Sequence, residues 1–516
     1  MAFAELRKPS SHPADQGLSS SVLYQRLESL LVSGGDARLT LSRPARHNAY
    51  GCTPFPRPGL LDFASSTGSN ISDAGYARAE KARARLLFEA AADGLEQAFE
   101  RSVENARAEL RDCLGIAGTE IVFSPSGTDA QLQALFLTRA LADAPLTAIV
   151  AGSDQTGRGT MHTARGRHFS ACTSQNIPVE EGTALAGLGE GLRTMEIPFC
   201  NADGIARSES EMDALVIQAI EGAIATGEKV LLQALDSSKL AWHAPSDACL
   251  AAIAARWPDD VRIVIDACQM RLGAARLRGY LDRGFAVLMT GSKFFTGPAF
   301  SGALLIPPAL ANAIDAITEV PPGLCDYSNR FDWPRRWTAL RAAFPATPNY
   351  GQWLRWEAAL AEMGAYFDVP VTFRDAVLGE FADLVPRRIA QSGALALLPE
   401  RGASETNGEM RHRTIFAFTV HRGGRALGLD ECRALYRALG RDLSSAAPVQ
   451  DRAIAGRICQ IGQPVDLRPA PALRLCTSAR LVTACWQSDA IELEIANLAA
   501  VIEKIEWLVA HPEYAS

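Results

Sequence analysis

The sequence predicts an α/β protein with a three-layer α/β/α large domain and a smaller α+β domain toward its C-terminal end. Three observations carry that expectation. Between residues 120 and 289, short apolar runs alternate with helical patterns, as in a mostly parallel sheet covered by helices. Beyond about residue 341 the alternation stops, and two long helical patterns precede one strand-like run. The 516 residues, 48% hydrophobic and 21% charged, have the volume for two or three globular domains. The expected division is an N-terminal extension over 1–75, a large domain over 76–340 and a C-terminal small domain over 341–516.

Taken in order, residues 1 to about 20 are rich in Ser, Pro and Gly and are expected to be loosely attached. Helical spacing over 21–31 is followed by the Gly34-Gly35 turn, a Pro/Arg-rich stretch to Pro58, and the polar run Ser65-Ser66-Thr67-Gly68-Ser69-Asn70. Residues 73–114 show apolar spacing at i, i+3 and i+4, which predicts two helices broken near Gly94. Strands are predicted over 120–123, 147–151, 229–235, 261–265 and 285–289, with helices over 130–141, 209–225 and 246–255. The C-terminal part is expected to hold helices over 352–366 and 372–390, a strand over 414–420, a helix near 430–439 and a closing helix after Asp489.

A net charge of −7, with arginines interleaved among acids, argues against nucleic acid or an acidic membrane as partner. The eleven cysteines include no CxxC pair, so no zinc or other metal site is expected, and the thiols read as those of a reducing cytoplasm. The first residues lack a basic start followed by an apolar stretch, and no run approaches a bilayer-spanning length; a cytoplasmic protein is expected.

The chemistry concentrates at two strand ends. The apolar run 261–265 ends on Asp266, and the run 285–289 leads into Thr290-Gly291-Ser292-Lys293. Ligands of α/β sheets sit outside the carboxyl ends of the strands, so both charges are expected to face one crevice. An acid and an amine there suit pyridoxal 5′-phosphate (PLP): the lysine forms a Schiff base with the aldehyde, and the acid keeps the pyridine nitrogen protonated. Ser126-Gly127-Thr128 joins a strand to a helix, where backbone N–H groups and hydroxyls favour a phosphate. Gln269, in the loop after Asp266, is placed to bond the phenolic oxygen. Each piece alone has a plainer reading, as a helix cap, a strand-end cap or a surface lysine; their order is what points to one cofactor.

These motifs, with Phe294-Phe295-Thr296-Gly297-Pro298 after the lysine, resemble fold-type I PLP-dependent enzymes, and most of all the class V aminotransferase branch that includes cysteine desulfurases. The resemblance spans roughly residues 75–500 and implies the PLP-dependent transferase fold, with an aspartate aminotransferase-like large domain. It implies Lys293 as the Schiff-base lysine and proton shuttle, and Asp266 as the pyridinium partner. Ser126, Gly127, Thr128 and Ser292 would hold the phosphate, joined by Thr347 of Thr347-Pro348-Asn349 arriving from a neighbouring subunit of a homodimer. Ser238, in Asp236-Ser237-Ser238-Lys239, would contact the cofactor, and Arg474 would clamp a substrate carboxylate.

The chain also departs from that branch. Where desulfurases stack a histidine on the ring, it offers Gln155 and Thr156, while His162 and His168 are expected on a helix surface. Ile461 stands where a desulfurase carries its nucleophilic cysteine, and Cys459, two residues upstream, is expected on the opposite side of the extended chain. Ser66 and Thr67, in the N-terminal extension, are expected at the substrate mouth. These features imply a homodimeric PLP enzyme acting on an amino acid or amine-bearing metabolite, first as an aminotransferase. The alternatives are a lyase or an enzyme joining carbon at Cβ or Cγ, and then a non-catalytic PLP-fold binding protein.

Overall fold

The structure is a computed structural model that describes residues 20–43, 46–399, 408–488 and 490–515. The tail expected over 1–20 lies outside the described residues except for Ser20, as does Asp489. The strands among them are, in chain order, β1 (Leu60–Phe63), β2 (Glu120–Ser124), β3 (Leu146–Ala151), β4 (Leu192–Ile197), β5 (Lys229–Leu235), β6 (Val261–Asp266), β7 (Ala286–Thr290), β8 (Gly302–Ile306), β9 (Leu395–Leu397), β10 (Ile415–Arg422), β11 (Arg425–Ala426), β12 (Ile458–Val465) and β13 (Ala472–Cys476).

The large sheet has the order β2-β8-β7-β6-β5-β3-β4. Its members from β4 to β7 pair in parallel, and β8 runs antiparallel to both β7 and β2. Near-continuous burial of β3, β5 and β7 is what a parallel sheet covered on both faces requires. The second sheet, β1-β12-β13-β10-β11 with β9 on β10, is antiparallel except for β1, which pairs in parallel with β12. A segment from the N-terminal part of the sequence thus completes the C-terminal sheet.

Two helices over 73–114 form as predicted. Asp73–Asp93 starts at Ser72, whose hydroxyl accepts from the Gly75 N–H at 2.9 Å, and Gly94 at φ 83° separates it from Leu95–Leu114. The pattern over 21–31 breaks instead. A 3₁₀ turn (Ser20–Tyr24) and a short helix (Leu27–Leu31) are separated by extended Arg26. Helix Tyr350–Phe367 is buried on almost every side, and its Trp353, Leu354, Trp356, Leu360 and Met363 each contribute roughly 1.5–3 kcal/mol through burial. It is also the hub of the polar interior. Arg355 is fully buried and donates to the carbonyls of Leu31, Ser33, Gly34 and Phe300, and Trp356 Nε1 donates to Gly302 O at 3.0 Å. That helix therefore ties the N-terminal segment to the loop that carries Lys293.

Among the described residues no helix is long and apolar enough to cross a membrane.

Candidate active site

Asp266 is the last residue of β6, level with Leu235 of β5 and Leu288 of β7. The loops leaving those three strands emerge side by side and line one cavity of ≈1600 Å³. Within it the Asp266 carboxylate accepts the Cys268 N–H at 3.1 Å and Gln131 Nε2 at 3.4 Å, and among the described residues it forms no ion pair. Burial pushes its pKa up. Lys293 Nζ donates to the carbonyl of Thr67 and lies 5.4 Å from the centre of the Tyr50 ring. Burial first, then Arg474 and Lys239, bring the ammonium down to about 8.

The loop after Lys293 is fixed by close packing on helix Tyr350–Phe367. A Cβ on Gly297 would fall 2.5 Å from the Ala359 Cβ, and one on Gly291 2.8 Å from it. Thr296 and Phe300 hold positive φ values of 59° and 71°, a conformation that costs non-glycine residues roughly 1–3 kcal/mol and that the surrounding contacts must maintain.

Ser126 caps helix Gly127–Ala140, its hydroxyl accepting from the Asp129 N–H at 3.3 Å and donating to the Asp129 carboxylate at 2.5 Å. A Cβ on Gly127 would come 2.5 Å from Cys268 Sγ, so the cup packs directly against the Asp266 loop. Arg38, from the N-terminal extension, reaches into this cup. Its guanidinium donates to Ser126 Oγ at 3.2 Å and approaches Thr128 Oγ1 at 3.5 Å, while Asp36 binds it in a two-pronged pair at 2.5–3.0 Å. Phe300 stacks beneath it at 4.9 Å. Burial and the nearby Asp36 push the Asp129 carboxyl up to about 7.

Arg474 is buried, on β13 opposite Ala417 of β10 and Gly462 of β12. One of its amino groups donates to Thr67 Oγ1 at 3.0 Å and Gln463 O at 2.6 Å, the other to Lys239 O at 3.4 Å, and its Nε has no partner. Glycine at 462 leaves the room, because a Cβ there would sit 2.8 Å from that Nε. Ser66 O accepts from Gln269 Nε2 at 3.0 Å, and Ser66 Oγ accepts from Cys476 Sγ at 3.1 Å.

Of the residues expected here from sequence, Ser66, Thr67, Ser126, Gly127, Thr128, Gln155, Thr156, Ser238, Asp266, Gln269, Ser292, Lys293 and Arg474 all line the cavity; Thr347 does not. Thr347 precedes Asn349, whose side chain caps helix Tyr350–Phe367 and donates to Gly34 O. Gln269 turns its amide nitrogen to Ser66 rather than holding it free, and Ser238 Oγ accepts two turn N–H groups, from Leu240 and Trp242.

Two expectations are corrected. His168 is not on a helix: it follows helix Thr160–Ala164 in an irregular segment, where its ring bonds the Tyr327 hydroxyl at 2.8 Å. Cys459 is not opposed to Ile461, because residues two apart on a strand share a face; both lie on β12 and both are buried in the apolar core. Burial pushes the Cys459 thiol up to about 11, away from nucleophilic form.

Sequence reasoning assigned no role to Arg38, Tyr50 or Lys239. Arg38 lies in an irregular Pro/Arg-rich stretch with no periodicity to orient it, whereas Lys239 stood inside a quoted motif and could have been questioned. The polar lining also fits PLP. Asp266 is a half-buried acid without a cation among the described residues, Gln155 Oε1, Gln269 Oε1 and Arg474 Nε are buried without partners, and the cup at the start of helix Gly127–Ala140 carries two hydroxyls and a guanidinium that a phosphate would suit.

No family model matches the sequence, and no curated protein matches it. Solved structures do. The cystine C–S lyase C-DES in complex with its product cysteine persulfide is 15% identical, with TM-score 0.50 over 86% of this chain and 98% of that one. The same lyase with glycine covalently linked to its PLP cofactor matches at 14% identity, TM-score 0.50, over 86% of this chain and 97% of that one. The cysteine desulfurase CsdA from Escherichia coli is 13% identical, with TM-score 0.50 over 87% and 95%. At such identities the likeness speaks for architecture, and the architecture is that of the fold-type I PLP-dependent enzymes.

Proposed function

We propose that the protein is a PLP-dependent enzyme acting on an amino acid or amine-bearing metabolite, with amino-group transfer as its reaction. The observation that carries this reading is the meeting, in one cavity, of the Lys293 amine, the unpaired Asp266 carboxylate and the Arg474 guanidinium. Ser126, Gly127, Thr128, Ser292 and Arg38 would hold the phosphate, Asp266 the ring nitrogen, and Gln155 and Thr156 would border the ring. Bound there, PLP supplies an aldehyde to capture the substrate amine and a ring that accepts electrons from Cα.

The rest falls to this chain. With its pKa brought down to about 8, roughly a tenth of Lys293 is free amine at pH 7, far more than an ordinary lysine offers, which suits it first as nucleophile and then to carry the proton at Cα. Thr67 O orients the amine. Arg474, with its Nε unpaired, can turn a planar fork onto the α-carboxylate. Tyr50 lies beside the Lys293 amine, and Phe169 and Phe300 flank Arg38 on the same cavity wall.

A second reading, elimination at Cβ by a lyase, is favoured by a specific observation. Ile461 stands where a desulfurase carries its cysteine, Cys459 at the cavity wall has its thiol pushed up to about 11 by burial, and the fold neighbour C-DES is a C–S lyase. Homodimer assembly belongs to the proposal as well, since Thr347 lies outside this chain's own cavity; size-exclusion chromatography with light scattering tests it.

Purified protein given PLP is expected to gain a visible absorption band that Lys293→Ala lacks; a wild type that takes up no PLP refutes the reading. Incubation with a panel of amino acids then separates the two reactions. Build-up of the pyridoxamine form speaks for transfer, and steady turnover to a keto acid without it speaks for the lyase.

A further inference from the structure

Lys239 is the second amine of the cavity. It leaves the turn after β5, and its Nζ donates to the carbonyl of Thr156 at 2.8 Å. It is half-buried, and among the described residues it has no carboxylate partner, although ammonium groups drawn out of water are ordinarily paired. Its charged surroundings make the omission more pointed. Arg474 donates to the Lys239 carbonyl at 3.4 Å, Arg158 lines the same wall, and burial followed by those two arginines brings the Lys239 ammonium to about 8. Asp266 is the acid that acts on it.

With the cofactor in place, Asp266, Lys293 and Arg474 would each have a task. Asp266 would face the ring nitrogen, Lys293 the aldehyde carbon and Arg474 the α-carboxylate. That leaves Lys239, with Arg158 at the rim, as positive charge without an ion-pair partner among the described residues, in a cavity large enough for a substituent beyond Cβ. We propose that Lys239 receives a second anionic group, a side-chain carboxylate, so that the substrate is a dicarboxylic amino acid. The inference rests on the PLP-enzyme reading and names its substrate class.

The test uses the PLP-loaded full chain and follows the visible band during titration with aspartate, glutamate and 2-aminoadipate, each against a neutral counterpart: asparagine, glutamine or norleucine. At least one acid is expected to bind about tenfold or more tighter than its counterpart, and Lys239→Met to bring that ratio close to one. Lys239→Arg, which keeps the charge, is expected to preserve the preference. PLP uptake and circular dichroism of both variants report whether they fold. A loaded wild type without acid preference overturns the inference, as does a preference that survives in Lys239→Met. Equal weakening of acid and neutral ligand in Lys239→Met overturns it too, because it would make Lys239 a structural residue. Failure of the wild type to take up PLP is a different outcome: it removes the parent reading, and this inference with it.

Discussion

Replacing Arg38 by alanine tests whether the N-terminal extension is part of the cofactor site or merely covers it. Arg38 places one amino group 3.2 Å from Ser126 Oγ and the other 3.5 Å from Thr128 Oγ1, where a phosphate held by that cup would touch both. A hydrogen bond to a charged group contributes about 1.5–3 kcal/mol, which predicts a loss of about ten- to a hundredfold in PLP affinity. A second effect adds to it. Asp36, whose side chain is 1% exposed, loses its counter-ion and is left as a buried negative charge beside the phosphate. The double variant Asp36→Asn/Arg38→Gln removes that repulsion and is expected to recover part of the loss. The assay is titration of apoprotein with PLP, followed by tryptophan fluorescence, beside a parallel titration with pyridoxal, which lacks the phosphate. Pyridoxal binding should change little. A PLP dissociation constant within about threefold of wild type, or an equal loss for pyridoxal, would refute the reasoning.

Two further outcomes follow from the same geometry. The rate at which apoprotein captures PLP should climb about tenfold per pH unit below the lowered Lys293 pKa of about 8 and level off above it, because only the neutral amine attacks the aldehyde. Stopped-flow absorbance measures this, and a rate still climbing toward pH 10.5 contradicts it. Gly297→Ala forces a methyl to within 2.5 Å of the Ala359 Cβ; it should cost roughly 1–3 kcal/mol in urea denaturation, with the visible band weakened because the same loop holds Lys293.

What could be read from the sequence was what regular repetition marks. The parallel strands are unbroken apolar runs, and β6 and β7 end on the two charged residues that carry the chemistry, so Asp266 and Lys293 were legible together. The half-exposed edge strand β4, Leu-Arg-Thr-Met-Glu-Ile, hides its pairing behind polar residues. Four residues of β1 cannot declare that their partner is β12, nearly four hundred positions away. Arg38 was invisible for a similar reason. Its position is set by Arg355, which grips the carbonyls of Leu31, Ser33 and Gly34, and by the Asp36 pair, none of which leaves a periodic trace. Chemistry placed by strand ends can be read along the chain; chemistry placed by long-range capture of an irregular segment cannot.

The polar run over 65–70, also outside the regular elements, bridges the two sheets. Ser65 Oγ accepts from Arg271, which follows β6, and donates to Thr477 O, just beyond β13. Thr67 offers its carbonyl to Lys293 from the large sheet and its hydroxyl to Arg474 from the small one. Asn70 accepts the Thr53 N–H and donates to Gln460 of β12. Serine, threonine and asparagine suit such a bridge because their short side chains present donors and acceptors close to the backbone. The amine that would hold the cofactor and the guanidinium that would hold the substrate are thus spaced by a single residue, Thr67. The distance between them, and with it the alignment of Cα over Lys293, depends on this stretch of the N-terminal extension as much as on either sheet.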